Sequence, residues 1–451
     1  MLLLLILINF YFKKVILLKK LKCGLVITRR VKRLFFTFIV LISAITACVC
    51  FLAYKFNVLW FLLLGGIEFC LFIFVVVSNL INLPMEIIIK FYYIIKAKNK
   101  LKHFKQLKII AITGSCGKTS TKNYLYELLK NKYNVLVSPA SYNTQMGITI
   151  TILNKLKSYH DILILEMGAD HKNDIKKLCK IVKPDISVVT SVGYQHLKTF
   201  KTVKNIIKTK YQIVENTVKN GLFFTNLTNA ICKRYFNSSC VKAYGVGINL
   251  KQAYCNVTNY KFSANGTEFE AIINGENVIF KTKLLGEFNI INLLLAVAVA
   301  VNLGVSITEI VKIVKTIEPT PHRLQLKKLN CGALLIDDGF NSNPVGAKNA
   351  VNVLKLFNKK RIVITCGMVD LGELQYKLNY NFGKQLAFLD EVLVVNTTNY
   401  NAIYDGVCSV NKRNVKLFNS FIEAYNYVLS FANENHVVLI ENDLTDSYIL
   451  N

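Results

Sequence analysis

The stretch Ile109 to Lys122, I-I-A-I-T-G-S-C-G-K-T-S-T-K, joins a short apolar run to a turn bracketed by glycines and then to a segment that suits a helix. An uninterrupted β-branched run is typical of a strand buried in a parallel sheet. Gly114 and Gly117 allow a tight turn whose backbone N–H groups point inward, beside the partial positive charge of a helix N-terminus. The stretch therefore predicts a phosphate-binding loop, although Ile112 occupies the first glycine position of the strict G-x-x-x-x-G-K-[ST] motif. The simpler interpretation is a glycine-rich turn with a surface lysine.

The turn and the first helical residues supply the predicted nucleotide contacts. Lys118 is expected to bind the terminal phosphates, and the Thr119 hydroxyl is expected to complete the ligand shell of a magnesium ion. The residues that we predict to bind nucleotide in this loop are Gly114, Ser115, Cys116, Gly117, Lys118, Thr119 and Ser120.

Length and composition restrict the class of protein. With 451 residues the chain has room for two or three domains, each with its own core. The formal net charge of +29 comes mostly from lysines scattered among Asn, Ile, Tyr and Phe, so we expect no nucleic-acid binding. The 12 cysteines include no C-x-x-C pair, which favours a reducing cytosol over a disulfide or zinc framework.

Residues 1–106 are predicted to anchor the chain in a cell membrane. Leu34 to Tyr54 carries no charge over 21 residues, which is enough to cross about 30 Å of hydrocarbon as a helix. A second apolar run extends from Val58 to about Leu83 and ends at Pro84. We therefore predict transmembrane helices at about residues 34–54 and 58–83, with membrane lipid as a partner. Met1 to Phe12 is apolar but too short to span a bilayer.

Basic segments flank this hairpin at both ends. Lys13 to Arg33 carries nine Lys or Arg and no acid, and seven lysines lie between Lys90 and Lys108, whereas the connection holds only Lys55. The positive-inside rule then predicts that both termini and the catalytic domains lie in the cytoplasm.

Beyond the loop, strand-like and helix-like segments alternate, which predicts an α/β fold with a parallel sheet. The buried strand Asp161 to Glu166 ends on an acid, and the strand Asp185 to Ser191 leads into a loop that contains His196. Because parallel strands end at one crevice, Glu166 and His196 should lie close together, followed by the helix that carries Lys208 and Lys210.

Two further regions complete the predicted architecture. Tyr254 to Leu285 alternates in polarity around Asn-Gly turns and predicts an antiparallel ribbon. After Pro319 to Pro321, a second strand–helix alternation predicts a separate Rossmann-like α/β domain. We therefore predict a membrane region over residues 1–106, a central P-loop ATPase domain over 107–319 and a C-terminal domain over 320–451.

Eight motifs in one order resemble the Mur ligase family, over about Lys108 to Glu441. They are T-G-S-C-G-K-T-S (113–120), Y-N-T-Q-M-G (142–147), L-E-M-G-A (165–169), S-V-G-Y-Q-H-L (191–197), K-T-K (208–210), G-E-F-N-I-I-N (286–292), P-H-R (321–323) and D-D-G-F-N-S-N-P (337–344). The last motif and G-M-V-D-L-G-E at 367–373 most resemble the branch that adds D-alanyl-D-alanine to a muramyl tripeptide.

The resemblance implies ATP-driven amide formation: ATP phosphorylates a substrate carboxylate, an amine attacks the acyl phosphate, and ADP and phosphate leave. A carboxylate that approaches a triphosphate is repelled, so the site needs Lys118 and divalent cations. The expected catalytic residues are Lys118, His196, Lys210 and Arg323. The expected cofactors are ATP and two Mg²⁺ ions, held by Thr119, Glu166, His196 and a carbamylated Lys210.

The resemblance also assigns contacts outside the loop. Asn289 and Asn292 match nucleotide-contacting asparagines, and Arg323 and Asp338 match residues that reach ATP when the domains close. The residues expected to bind substrate are Asn143, Asn341 and Asn343.

Three departures bear on the substrates. Phe288 stands where the family often has His, and E-N-D-L-T-D at 441–446 replaces a K-G-S-R-type ending, which leaves the added amino acid or dipeptide open. A membrane hairpin stands where the family has a UDP-sugar-binding domain. The precursor is then either UDP-linked and held differently, or linked to lipid. We expect a monomer.

Two other functions compete with a cell-wall ligase. A poly-γ-glutamate-type ligase also pairs a membrane segment with this ATPase core, but the complete second domain with D-D-x-x-N-x-N-P favours the first interpretation. A catalytically silent ATP-binding scaffold has no reason to retain Lys118, Glu166, His196 and Lys210.

Overall fold

The computed structural model describes residues 27–56, 71–139, 142–237, 240–263, 266–340, 342–411 and 415–442. The predictions on Met1 to Phe12, on the first part of the second apolar run and on Asn341 lie outside these ranges. The chain forms two compact units, one before Ala97 and one from Ala97 onward.

The first unit contains two long apolar helices, α1 (Arg29–Phe56) and α2 (Leu71–Lys102). Both are long and apolar enough to cross a bilayer, by length and composition. Arg33 Nη2 lies 2.6 Å from Glu86 Oε1, and Asn82 Nδ2 donates to Thr37 Oγ1 over 3.0 Å. Thr37 follows Arg33 by four residues and Asn82 precedes Glu86 by four, so the helices run antiparallel, as in a hairpin.

Pro84 lies inside α2, so the helix does not stop where the apolar run was predicted to end. Proline removes one backbone donor, and the loss at a single position is tolerated in a long helix whose flanking turns remain bonded. The apolar character continues past it, because Ile87, Ile88 and Phe91 are exposed on the same helix.

The second unit begins with the central domain, whose sheet has the strand order β2-β3-β1-β4-β5-β6-β7-β8-β9. Strands β1 to β7 pair in parallel, whereas β7, β8 and β9 form the predicted antiparallel ribbon. The strands are β1 (Lys108–Thr113), β2 (Val135–Val137), β3 (Ile162–Glu166), β4 (Ile186–Val189), β5 (Leu222–Asn226), β6 (Lys242–Ile248), β7 (Cys255–Ser263), β8 (Gly266–Ile273) and β9 (Glu276–Thr282). The helices are α3 (Lys118–Leu129), α4 (Gln145–Lys155), α5 (Asp174–Cys179), α6 (Leu197–Phe200), α7 (Val203–Glu215), α8 (Ala230–Phe236), α9 (Glu287–Asn302) and α10 (Ile307–Thr316).

The C-terminal domain has a six-stranded sheet in the order β10-β11-β15-β12-β13-β14, parallel except for the edge strand β10. Its strands are β10 (Gln325–Lys328), β11 (Leu334–Asp338), β12 (Lys360–Thr365), β13 (Glu391–Val395), β14 (Val415–Phe418) and β15 (His436–Glu441). Its helices are α11 (Pro344–Leu354), α12 (Gln375–Leu386), α13 (Tyr400–Cys408) and α14 (Phe421–Leu429). The boundary that we propose at residues 319 and 320 falls between α10 and β10.

Two packing features position the site. Helix α9 is buried on every face from Asn289 to Ala300 and packs against α3, which brings its two asparagines beside the loop. Lys100 donates to the carbonyls of Ile152, Leu153 and Leu156 at 2.8–2.9 Å, and so caps the C-terminus of α4. The predicted α/β class, with a parallel central sheet and a second α/β domain, is confirmed.

Candidate active site

The loop between β1 and α3 has room only for glycine at its two ends. A Cβ on Gly114 would lie 2.0 Å from Thr190 Oγ1, and a Cβ on Gly117 would lie 2.2 Å from Asn292 Oδ1. Gly117 also has φ of 82°, in the left-handed region that favours glycine. The β1–loop–α3 order and these close approaches fit a backbone cradle for phosphate.

Side chains and backbone of the loop after β4 fix the shape of this cradle. Ser115 Oγ donates to Gly193 O over 3.1 Å and accepts from Gly193 N over 3.0 Å. Cys116 N donates to Ser191 Oγ over 3.2 Å. The loop after β4, which also contains His196, therefore holds the phosphate-binding loop in place.

Two lysines meet at one carbonyl of the cradle. Lys118 Nζ and Lys210 Nζ each donate to Gly114 O over 2.9 Å. Lys210 is 1% exposed, and burial, followed by the charge of Lys118, lowers its pKa to about 7. Lys208, two residues earlier on α7, is exposed. The lysine predicted to be functional is the one that reaches the loop.

Glu166 lies at the centre of a second cluster, beside the first turn of α3. Thr119 Oγ1 donates to Glu166 Oε2 over 2.9 Å, and Asn143 Nδ2 donates to Oε1 over 3.2 Å. Lys122 Nζ lies 3.7 Å from Oε2, and burial lowers its pKa while Glu166 opposes that shift. A hydroxyl and a carboxylate in contact are oxygen ligands of the kind that Mg²⁺ prefers.

His196 lies between two carboxylates. Its Nε2 is 3.2 Å from Asp170 Oδ1, and its Nδ1 is 3.6 Å from Asp370 Oδ2 in the C-terminal domain. Lys198 N donates to Asp370 O over 3.1 Å, so the two loops also touch through their backbones. His196 and Asp370 both have left-handed backbones, with φ of 49° and 61°. The structure thus brings His196 to the crevice, where both ring nitrogens face acids.

The two predicted asparagines of α9 lie beside the loop in different environments. Asn289 Oδ1 accepts from Tyr124 Oη over 3.1 Å. Asn292 Oδ1 accepts from Thr121 Oγ1 over 3.4 Å, and its buried Nδ2 has no partner among the described residues. An unpaired buried donor costs free energy, so Asn292 is suited to bind a ligand acceptor.

The C-terminal domain contributes a cation and a helix cap to the same cleft. Arg323 Nη1 donates to Phe340 O over 2.6 Å, and its guanidinium lies 4.7 Å from the centre of the Phe340 ring. Asn343 caps α11 by accepting from two backbone N–H groups, and its Nδ2 contacts Cys116 Sγ. The structure thus uses Asn343 to hold the helix end against the phosphate loop. Its predicted role in substrate binding stays a prediction.

A cleft that is open to solvent lies between the two domains, and its empty volume is about 460 Å³ with the solvent space at its mouth included. Its walls are formed by Cys116, Gly117, Ser120, Phe288, Asn289, Arg323, Leu324, Asp338, Ser342, Asn343, Gly346, Asn349 and Glu441.

Four residues of the site were not predicted. Lys122 lies one turn after Lys118 on α3, and that spacing indicates a shared face. Asp170 follows Glu166 by four residues in a polar loop. Asp370 lies in a motif that resembles the family and Glu441 lies in a segment that departs from it. Neither pattern indicates the contacts that these two residues make in the structure.

Comparison with known proteins gives two adjoining family matches. The Mur ligase middle domain matches residues 112–300, and the Mur ligase, glutamate ligase domain matches residues 322–441. UDP-N-acetylmuramoyl-tripeptide–D-alanyl-D-alanine ligases from Buchnera aphidicola subsp. Baizongia pistaciae and from Bacillus subtilis are 31% and 27% identical to this chain. Each alignment covers 59% of this chain and 57% or 58% of the relative, so the chain spans less than two thirds of the length of either.

Solved structures agree with these matches. MurF ligase from Thermotoga maritima in complex with ADP superposes with a TM-score of 0.71 at 25% identity, over 78% of this chain and 80% of that chain. MurF from Acinetobacter baumannii gives a TM-score of 0.71 at 23% identity over 78% and 77% of the two chains, which shows a shared fold. Because the two matched domains together cover more than half of the sequence, the chain belongs to the Mur ligase family.

Proposed function

We propose that this chain is an ATP-dependent ligase that forms an amide bond on a muramyl peptide precursor of the cell wall, and that it adds a D-alanyl-D-alanine-type dipeptide or an amino acid. The observation that carries the proposal is the meeting of Lys118 and Lys210 at Gly114, beside the Thr119–Glu166 pair. The relatives named above support the choice of precursor and dipeptide.

The site suits the proposed reaction chemically. A substrate carboxylate oxygen attacks the terminal phosphorus of ATP, the bond to ADP breaks, and an acyl phosphate forms. The nitrogen of the incoming amine then attacks the acyl carbon, and phosphate leaves with the carboxylate oxygen. Lys118 neutralises charge on the transferred phosphoryl group, and the loop N–H groups hold the remaining phosphates. The ADP bound to the Thermotoga maritima relative supports nucleotide binding at this loop.

The oxygen ligands that magnesium requires are present at one position, beside the phosphate-binding loop. Thr119 and Glu166 supply two oxygen ligands, and magnesium bound there would stabilise the negative charge that moves between the phosphates. Within the described ranges, no group of three or more His, Cys, Asp or Glu side chains is arranged to hold a metal ion. Asp170 and Asp370 are paired with the ring nitrogens of His196, so a second magnesium near His196 would need a further anionic ligand.

Lys210 is suited to become that ligand. Carbamylation requires a neutral amine, and the lowered pKa of this buried lysine provides one near neutral pH. Carbon dioxide adds to the neutral Nζ with loss of one proton, so the neutral amine becomes a carbamate with one negative charge. The carbamate on Lys210 and the two-magnesium arrangement are part of the proposal.

The two apolar helices support a lipid-linked acceptor. An enzyme anchored by α1 and α2 works at the cytoplasmic face of a cell membrane, where a lipid-linked muramyl peptide is concentrated. A UDP-linked precursor remains the alternative, and D-alanyl-D-alanine can be supplied to either acceptor.

Phosphate release tests the proposal. The full chain in detergent micelles receives ATP, Mg²⁺ and D-alanyl-D-alanine, with either the UDP-linked or the lipid-linked muramyl tripeptide. We expect phosphate release only when acceptor and dipeptide are both present, with a product heavier by the dipeptide minus water. Phosphate release without any amide product would contradict the proposed function. Equal rates on both acceptors would contradict the lipid-linked choice alone.

A further inference from the structure

A buried lysine lies against the carboxylate at the proposed magnesium position. Lys122 is 2% exposed and Glu166 is 3% exposed, and Lys122 Nζ lies 3.7 Å from Glu166 Oε2. Lysine and glutamate are almost never fully buried unless they are paired. The proposed reaction uses Glu166 but gives Lys122 no part, so this buried cation requires its own explanation.

Buried contacts on two sides hold the ammonium group of Lys122 in this position. Thr119 and Lys122 are three residues apart on α3, so their side chains share one face of the helix, and Thr119 Oγ1 donates to the same Oε2 over 2.9 Å. Lys122 Nζ also donates to Ser138 O over 3.0 Å, and Ser138 Oγ accepts from Glu166 N over 3.1 Å. The distance between lysine and carboxylate is therefore fixed by the fold.

The charges of this pair cancel. Both side-chain oxygens of Glu166 accept hydrogen bonds, Oε2 from Thr119 and Oε1 from Asn143, as the oxygens of a carboxylate do. One positive charge on Lys122 then offsets one negative charge on Glu166. A metal ion bound to Oε2 would lie within a few ångströms of the ammonium group, and like charges at such a distance repel strongly in a buried site. The protein alone thus offers a divalent cation a hydroxyl and a carboxylate that is already neutralised.

Nucleotide in the loop would change this balance. A triphosphate carries several negative charges, and magnesium is usually held by one or two carboxylates together with substrate phosphates. Thr119 belongs to the first turn of α3, directly after the phosphate-binding loop. Phosphates bound there would outweigh the single positive charge of Lys122.

We infer that Lys122 is the internal counter-ion of Glu166 and makes magnesium binding depend on nucleotide, so that the metal enters the site together with ATP. The inference rests on the part of the proposed function that places ATP and magnesium at this loop. Lys122 acts through Glu166 and is a positioning residue.

Binding of Mn²⁺ alone to the full chain, without nucleotide, tests this role. Electron paramagnetic resonance measures free Mn²⁺, and Glu166→Gln identifies the share of binding that belongs to Glu166. In the wild type we expect this share to have a Kd weaker than about 0.1 mM. Lys122→Met removes the charge but keeps an unbranched chain of similar length, and it should bind Mn²⁺ about tenfold more tightly. Lys122→Arg keeps the charge and should bind Mn²⁺ as weakly as the wild type.

Two controls connect the gain to the buried pair. Lys130, at the exposed end of α3, pairs with Glu127 over 2.6 Å, and Lys130→Met should leave Mn²⁺ binding unchanged because that carboxylate is solvated. Lys122→Met combined with Glu166→Gln should lose the gain, because the carboxylate released by the first substitution is removed by the second.

If Lys122→Met does not fold, Lys122→Gln replaces it, since its amide can still donate to Ser138 O. Mn²⁺ binding by the uncharged variant that is no tighter than in the wild type would overturn the inference, and so would an equal gain in Lys122→Arg. Wild-type binding at Glu166 tighter than about 0.1 mM would overturn it without any lysine variant. None of these results bears on amide formation, whereas phosphate release without an amide product contradicts the ligase function alone.

Discussion

The two sides of the cleft differ in charge and in the way that the chain builds them. The central-domain side is a backbone turn with Lys118 and Lys210 at one carbonyl, whereas the C-terminal side presents Asp338, Glu441 and Arg323. The difference teaches that the predicted phosphate contacts come from the central domain, whereas the acids of the cleft come from the C-terminal domain, so we expect a variant on one side to leave the other side intact.

The largest effect that separates the two sides is expected at Lys210. Lys210→Ala should lower the ligation rate at least a hundredfold, because a lost metal ligand costs about 3 kcal/mol of transition-state stabilisation. ATP affinity should change little, since Lys118 and the loop remain. Steady-state kinetics and nucleotide calorimetry measure the two quantities, and millimolar acetate should restore part of the rate.

Lys208→Ala is the matched control for this experiment. Lys208 is exposed and lies two residues away on the same helix, so its loss should leave the rate within twofold. Wild-type ligation by Lys210→Ala at limiting bicarbonate, or a larger loss in Lys208→Ala, would show that the metal bridge is wrongly assigned.

The next effect tests the shape of the cradle. Gly117→Ala places a Cβ 2.2 Å from Asn292 Oδ1 at a φ of 82°, and strain of about 2 kcal/mol should weaken ATP binding about thirtyfold. Gly275 also has a positive φ, but a Cβ added there would have no atom within 4 Å. Gly275→Ala should therefore lower the stability of the fold without any change in ATP affinity. Equal ATP affinities in the two variants would argue against a close-packed cradle.

A smaller effect is expected where the two domains touch at His196. Asp370→Ala removes the carboxylate beside Nδ1, and loss of such an orienting partner should lower kcat about tenfold and raise the Mg²⁺ concentration needed for half-maximal rate. The KM for ATP should stay nearly constant. Glu373→Ala, exposed in the same segment, serves as the control. An unchanged magnesium requirement in Asp370→Ala would mean that the contact only supports packing.

The smallest change in ATP affinity is expected from removal of the hairpin formed by α1 and α2. A chain of residues 97–451 keeps Lys100 on the end of α4 and should bind ATP within twofold of the full chain. Its turnover on the lipid-linked acceptor in micelles should fall, while any turnover on the UDP-linked acceptor should remain. Unchanged turnover on the lipid-linked acceptor would contradict the proposal that the hairpin brings the enzyme to this acceptor.

Contacts within short motifs could be predicted from the sequence, whereas contacts between distant segments could not. The loop, Glu166 and Lys210 lie in short contiguous motifs whose spacing determines their geometry, and the structure brings them together as expected. The β11–β15 pairing joins residues about a hundred positions apart, so the meeting of Asp338 with Glu441 required the strand order. The contact between His196 and Asp370 likewise depends on how two domains approach, which local periodicity does not encode. Pro84 inside α2 shows that a strong local signal can be outweighed by the apolar helix around it.

The central claim is that this cleft transfers the terminal phosphoryl group of ATP to a carboxylate before an amide bond forms. Oxygen-18 in the carboxylate of the muramyl tripeptide tests it most directly, by mass spectrometry of the released phosphate in the presence of ATP and D-alanyl-D-alanine. The account predicts one labelled oxygen in the phosphate for each amide bond formed, with ADP as the other product. Unlabelled phosphate, or AMP and pyrophosphate in place of ADP, would contradict it.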